Sequence, residues 1–89
     1  MTKEEFIKQL NQWNFSASEK IKGTRRILEI RQSTSLLVPM FRTVAFVYLD
    51  KINEYNTGFP AFFDLLNQEE KLELTYLIER FAETPLRER

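Results

Sequence analysis

The chain has no cysteine and no histidine. Without thiolate or imidazole there is no ligand set for structural zinc, iron–sulfur clusters or haem attachment. There is no disulfide staple, and neither a Ser-His-Asp nor a Cys-His arrangement can be built. The side chain that ordinarily moves protons at neutral pH is missing with them. Gly23 and Gly58 are the only glycines, too few for a G-x-G-x-x-G or Walker-type loop that cradles phosphate on bare backbone. After Met1-Thr-Lys-Glu-Glu5 no apolar run reaches the length of a signal peptide or a membrane helix, so a cytoplasmic protein without a membrane partner is expected. Thirteen Lys plus Arg balance thirteen Asp plus Glu, which excludes a polybasic nucleic-acid tail and a strongly acidic mimic of DNA. Carboxylates remain for catalysis: Asp50, Asp64 and eleven glutamates. Their spacing suggests neither a glycosidase-like pair nor a magnesium site, and a non-enzyme with no cofactor and no metal is expected.

What is present is one small globular domain. Its 89 residues are 43% hydrophobic and 29% charged. Folding at this length buries only about 60–65% of the surface of the unfolded chain, and eight Phe, three Tyr and Trp13 offset the small core with large side chains.

Lys3 to about Trp13 reads as a helix. Thr2 and Glu5 have the spacing of a capping box, and Phe6, Ile7, Leu10 and Trp13 share one face. Asn14 suits a left-handed terminator, with Phe15 returning to the core. From Phe15 the period changes. Ser16 to Lys22 alternates weakly, Gly23 marks a turn, and Arg26 to Arg31 reads as a strand with Leu28 and Ile30 inward. Gln32 to Ser35 is expected to be a polar loop. In the apolar stretch Leu36–Leu49, Pro39 belongs at a bulge, an edge or a strand start. Arg42–Leu49 favours a strand. A helical alternative rests on Phe41, Val44, Ala45, Tyr48, Ile52 and Tyr55, but it would put Phe46 and Val47 on a polar side. Ile52–Gly58 is a short edge strand or a loop. Pro60 opens a short apolar helix ended by Asn67, and Asn67 with Glu70 caps a final helix that buries Leu74, Leu77, Ile78 and Phe81 and stops at Thr84-Pro85. The expected fold is α+β in the order α-β-β-β-α-α, an antiparallel sheet of three or more strands covered on one face by helices.

Two surfaces are candidates for binding. Residues 20–49 carry Lys20, Lys22, Arg25, Arg26, Arg31 and Arg42 against Glu29 alone, while residues 50–89 carry nine acids against five bases. A hairpin that gathers Lys20, Lys22, Arg25 and Arg26 near one turn, with Arg31 beyond them, would meet phosphates or an acidic protein surface. The plainer reading is solvated edge-strand charge, partly paired with the acidic last helix. Phe59, Phe62 and Phe63 form an aromatic run that suits either a docking or homodimer patch or a wedge of core. Phe62 and Phe63 point in different directions on any helix, which leaves one of them for a partner. The element order is also that of double-stranded RNA-binding domains, but there the last helix begins basic, whereas Gln68-Glu-Glu-Lys71 would repel phosphate.

The segment Glu70–Arg89 ends in Ala82-x-Thr84-Pro85-Leu86-x-Glu88-Arg89. It resembles the C-terminal part of many small proteins of phages and prophages of Gram-positive bacteria, in which an apolar helix is followed by A-x-T-P-[IL]-x-E-R and then a charged Glu/Lys tail. The opening Met-Thr-Lys-Glu-Glu-Phe6 is similar to theirs as well. The resemblance implies an accessory gene of a mobile element and no particular activity. The expected function is a protein-binding module that modulates or inhibits a host or phage complex, for example as an anti-CRISPR-like inhibitor. A nucleic-acid-binding accessory protein and a homo-oligomeric assembly component are the alternatives.

Overall fold

The computed structural model describes residues 1–33 and 41–89. Helix α1 spans Lys3–Gln12, and the hydroxyl of Thr2 caps it by accepting the Glu5 N–H at 3.2 Å. Its inward stripe buries Phe6 and Leu10, with Ile7 and Trp13 packed at the margin. Asn14 then takes φ +64°, a left-handed turn that this residue type tolerates, and the chain doubles back into buried Phe15.

Among the described residues four antiparallel strands follow in sheet order: β1 Phe15–Lys22, β2 Arg25–Ser33, β3 Phe41–Tyr48 and β4 Tyr55–Asn56. The β1–β2 hairpin turns through Gly23-Thr24 alone. Gly23 sits at φ +66°, as the first central residue of a type II′ turn requires. Between β2 and β3 the register shifts: Ile30 faces Ala45 while Arg31 faces Thr43, leaving Val44 as the extra residue of a bulge. Val44 and Ala45 therefore both point into the core, Phe46 goes to the other face and Val47 returns. This break in alternation is what lends the segment its helix-like stripe, and the strand reading is the correct one. Contrary to the loop expected at Gln32–Ser35, β2 continues through Gln32 and Ser33. The Gln32 side chain there donates to Glu70 at 2.8 Å, tying the strand to the last helix. The role expected for Pro39 lies outside the described residues.

Helix α2, Pro60–Leu65, begins on its proline, and α3 spans Gln68–Ala82. Asn67 caps α3 rather than ending α2. It accepts the Glu70 N–H at 2.8 Å while Glu70 accepts the Asn67 N–H at 2.9 Å, a complete capping box. The three helices cover one face of the sheet. Leu28, Ile30, Val44, Ala45 and Val47 meet Phe6, Leu10, Ala61, Phe62, Leu74, Leu77 and Ile78, and Phe6 stacks on Phe81 with ring centres 4.5 Å apart.

The Ala82–Arg89 motif closes this fold. Ala82 is fully buried, and Thr84 donates its hydroxyl to the Arg80 carbonyl at 3.0 Å. A 3₁₀ turn, Leu86–Glu88, brings Arg89 back over the end of α3. Its guanidinium donates to the carbonyls of Ala82 at 2.7 Å, Thr84 at 3.1 Å and, from β3, Tyr48 at 2.9 Å. It also lies 4.9 Å from the Phe81 ring centre. Arg89 thus shares the last carbonyl of α3, that of Ala82, with the Asn53 N–H at 2.8 Å and also pins the helix end to the sheet.

Candidate partner-binding surface

Strand alternation sends a second set of side chains to the face away from the helices: Ser16, Ser18, Lys20 and Lys22 from β1, Arg25, Ile27, Glu29 and Arg31 from β2, and Phe46 and Tyr48 from β3. Ile27 and Phe46 are only 5% and 3% exposed although neither belongs to the main core. They are roofed by their neighbours. The Lys22 ammonium lies 4.4 Å from the Phe46 ring centre, and Phe59 and Tyr48 meet that ring edge-on at 5.7 and 5.2 Å. Arg25 stacks over Tyr48 at 3.7 Å. The result is an aromatic floor under long cationic side chains, whose stems supply part of the cover.

Most of those cations already have carboxylates. Glu29 sits between Lys20 at 2.9 Å and Arg31 at 2.6 Å. Burial pushes the Glu29 carboxyl up, but the hydrogen bonds from Lys20 and Arg31 outweigh it and hold the group below its ordinary range. Arg25 is held by Asp50 at 3.1 Å and Glu54 at 2.7 Å, which raises its own pKa and, through the Arg25 hydrogen bond, lowers that of Asp50. Lys22 has no carboxylate partner among the described residues.

The compact patch expected from Lys20, Lys22, Arg25 and Arg26 is therefore divided. Adjacent strand residues face opposite sides, so Arg26 stands on the helix-covered side. There it and Lys3 share Glu19, whose carboxyl is lowered by the hydrogen bond from Lys3 and then by that from Arg26. Arg31 joins Lys20, Lys22 and Arg25 on the open face. Their partners are carboxylates of β2 and of the segment between β3 and β4, not of α3.

The aromatic run divides as well. Phe62 is core, Phe59 closes over Phe46, and Phe63 is 60% exposed with the Lys71 ammonium 5.9 Å from its ring. Leu72 and Tyr76, four residues apart on the solvent side of α3, are exposed large side chains to which the sequence reading assigned nothing. It also missed Tyr48 and Ile27 on the open face, although the alternation of Arg25, Ile27, Glu29 and Arg31 carried the signal. Among the described residues no three acidic side chains gather as a metal-binding group, and no helix is long and apolar enough to cross a membrane. No family model, no curated protein and no solved structure matches the chain.

Proposed function

We propose that this chain is a stoichiometric protein-binding module of phage or prophage origin. In this reading it acts in the bacterial cytoplasm, where it occupies a surface of a host or phage macromolecular complex and thereby modulates or inhibits it. Anti-CRISPR-like inhibition of host defence is one member of that class. The observation that carries the reading is the state of the open face. Arg25 is held by Asp50 and Glu54, and Lys20 and Arg31 share Glu29, so the surplus positive charge is confined to the β1 lysines and falls short of the row of free cations a polyphosphate needs. Aromatic side chains and arginines over a desolvated floor are instead what the centre of a protein interface is made of. The likeness of the Ala82–Arg89 motif to phage proteins supports the origin and is neutral on the activity, because those residues close the fold.

The chain used as bait in a lysate of its host is expected to retain one protein in a one-to-one complex, and Lys20→Glu/Lys22→Glu is expected to lose it. A chain that retains no partner contradicts the proposal. Retention on heparin that falls steeply with salt would favour the nucleic-acid reading instead. The exposure of Phe63, Leu72 and Tyr76 favours homo-oligomeric assembly as the second reading, with a solution mass at a multiple of 10.7 kDa as its signature.

A further inference from the structure

Among the described residues β1 is an outer strand of the sheet, its eight residues paired to β2 alone. The two-residue turn fixes which of its backbone groups are already used. In such a hairpin Lys22 and Arg25 exchange both ladder hydrogen bonds, and the pattern alternates from there. Lys22, Lys20 and Ser18 therefore direct their N–H and C=O groups to β2, whereas Ile21, Glu19 and Ala17 direct theirs outward. Sheet edges are commonly blunted by a bulge, a proline, a very short strand or charge. β1 has none of the first three and is guarded by charge alone, Glu19 on the helix-covered side and Lys20 and Lys22 on the other, which repels a basic strand and admits an acidic one. Ile21 is 76% exposed and, with Glu19, Lys20 and Arg26, lines a shallow hollow of about 280 Å³.

Charge indicates what fits there. On the helix-covered side Glu19 is neutralised by Lys3 and Arg26. On the open side Lys20 shares one carboxylate with Arg31, and Lys22 has none among the described residues, so positive charge is in surplus along this edge. A second copy pairing antiparallel through β1 meets like charges in most registers. A two-fold axis at Glu19 sets it opposite itself, one at Lys20 does the same, and one at Ile21 sets Lys20 opposite Lys22 twice. Only registers centred on Ala17 or Ser18 escape this, and the first of them pairs no more than residues 15–19.

We propose that β1 is a strand-addition site. An extended segment of a partner protein joins as a fifth strand, placing acidic side chains at alternate positions opposite Lys20 and Lys22 and an apolar side chain between them in the hollow at Ile21. The proposal rests on the binding-module reading and names its edge and the partner's chemistry.

The probes are an end-capped octapeptide of alternating Glu and Val and its Lys-Val counterpart, followed by residue-resolved amide exchange. In the free chain the amides of Ala17, Glu19 and Ile21 are expected to exchange fast while those of Lys20 and Lys22 are protected. The Glu-Val peptide is expected to protect the first three, and the Lys-Val peptide to bind at least about tenfold more weakly. Ile21→Pro removes an outward donor and leaves the β1–β2 bonds intact, so it is expected to abolish peptide binding with an otherwise unchanged amide spectrum. Outward amides that stay unprotected at about 1 mM peptide, or equal binding of the two peptides, would overturn the proposal. So would protection that appears without peptide as the mass doubles, which would assign the edge to a second copy. Capture of the same lysate protein by Ile21→Pro and by the unmodified chain would overturn the edge and leave the binding-module reading standing. Failure of the unmodified chain to capture anything would remove that reading itself.

Discussion

Neighbouring residues of one type take opposite roles in this chain, and the backbone decides which. Phe62 and Phe63 are adjacent, yet α2 turns the first into the core and the second to solvent. Phe62→Ala is expected to cost about 3–5 kcal/mol, the range for an emptied aromatic site in a core, whereas Phe63→Ala should stay within about 0.5 kcal/mol. Urea unfolding of the two variants checks both values. If Phe63→Ala proved the more damaging, the placement of α2 would be wrong. Arg25 and Arg26 divide by the same logic, one to each face of β2. The expected strand starts at Arg26 and leaves Arg25 in the turn, so that division was not legible there, and counting charge by segment collects what alternation separates. The carboxylates that neutralise these cations were not legible. Asp50 and Glu54 are 25 and 29 residues from Arg25, and only the closing of β3 onto β2 brings them together.

At the scale of elements, the local signals were strong where a cap or a turn carries them. Thr2, Asn14, Gly23, Pro60 and Asn67 with Glu70 each occupy the positions their side chains or φ values favour. β3 was ambiguous because its bulge at Val44 breaks the two-residue period, and a bulge is a property of the pairing, not of one strand. The geometry of the Ala82–Arg89 segment gives it a mechanical role. Arg89 bonds three carbonyls at the junction of α3 and β3, partly shielded from water. Arg89→Ala is expected to lower stability by about 2 kcal/mol, seen as a reduced urea midpoint with an unchanged slope, and Arg89→Lys should not restore it, because an ammonium lacks the planar fork. Full stability in the alanine variant would show that the clasp contributes nothing.

For the whole molecule, a net charge of zero conceals an ordered distribution. One face of the sheet is filled by the helices and the other is an aromatic floor under paired and surplus cations. The pH response follows from the same pairs. Glu19, Glu29 and Asp50 titrate below their ordinary values, so in acid the folded chain holds fewer protons than the unfolded one. Their contribution is complete at neutral pH and is lost as the pH falls through the depressed values. With no histidine, the chain lacks the side chain whose ordinary pKa lies between about pH 6 and 8. Thermal melts are therefore expected to be flat across that interval and to fall below the ordinary glutamate value of 4.5. A midpoint that rose with acid would contradict the ion pairs.

The proposed binding surface is the face away from the helices together with its β1 edge. Amide chemical shifts of the isotope-labelled chain, recorded with and without the protein it retains from its host, test this most directly. Perturbation is expected at the edge amides of Ala17, Glu19 and Ile21 and along Lys20, Lys22, Arg25, Ile27, Glu29, Arg31, Phe46 and Tyr48. Shifts confined to α1 and the solvent side of α3, with those strand positions unmoved, would place the partner on the helical side instead.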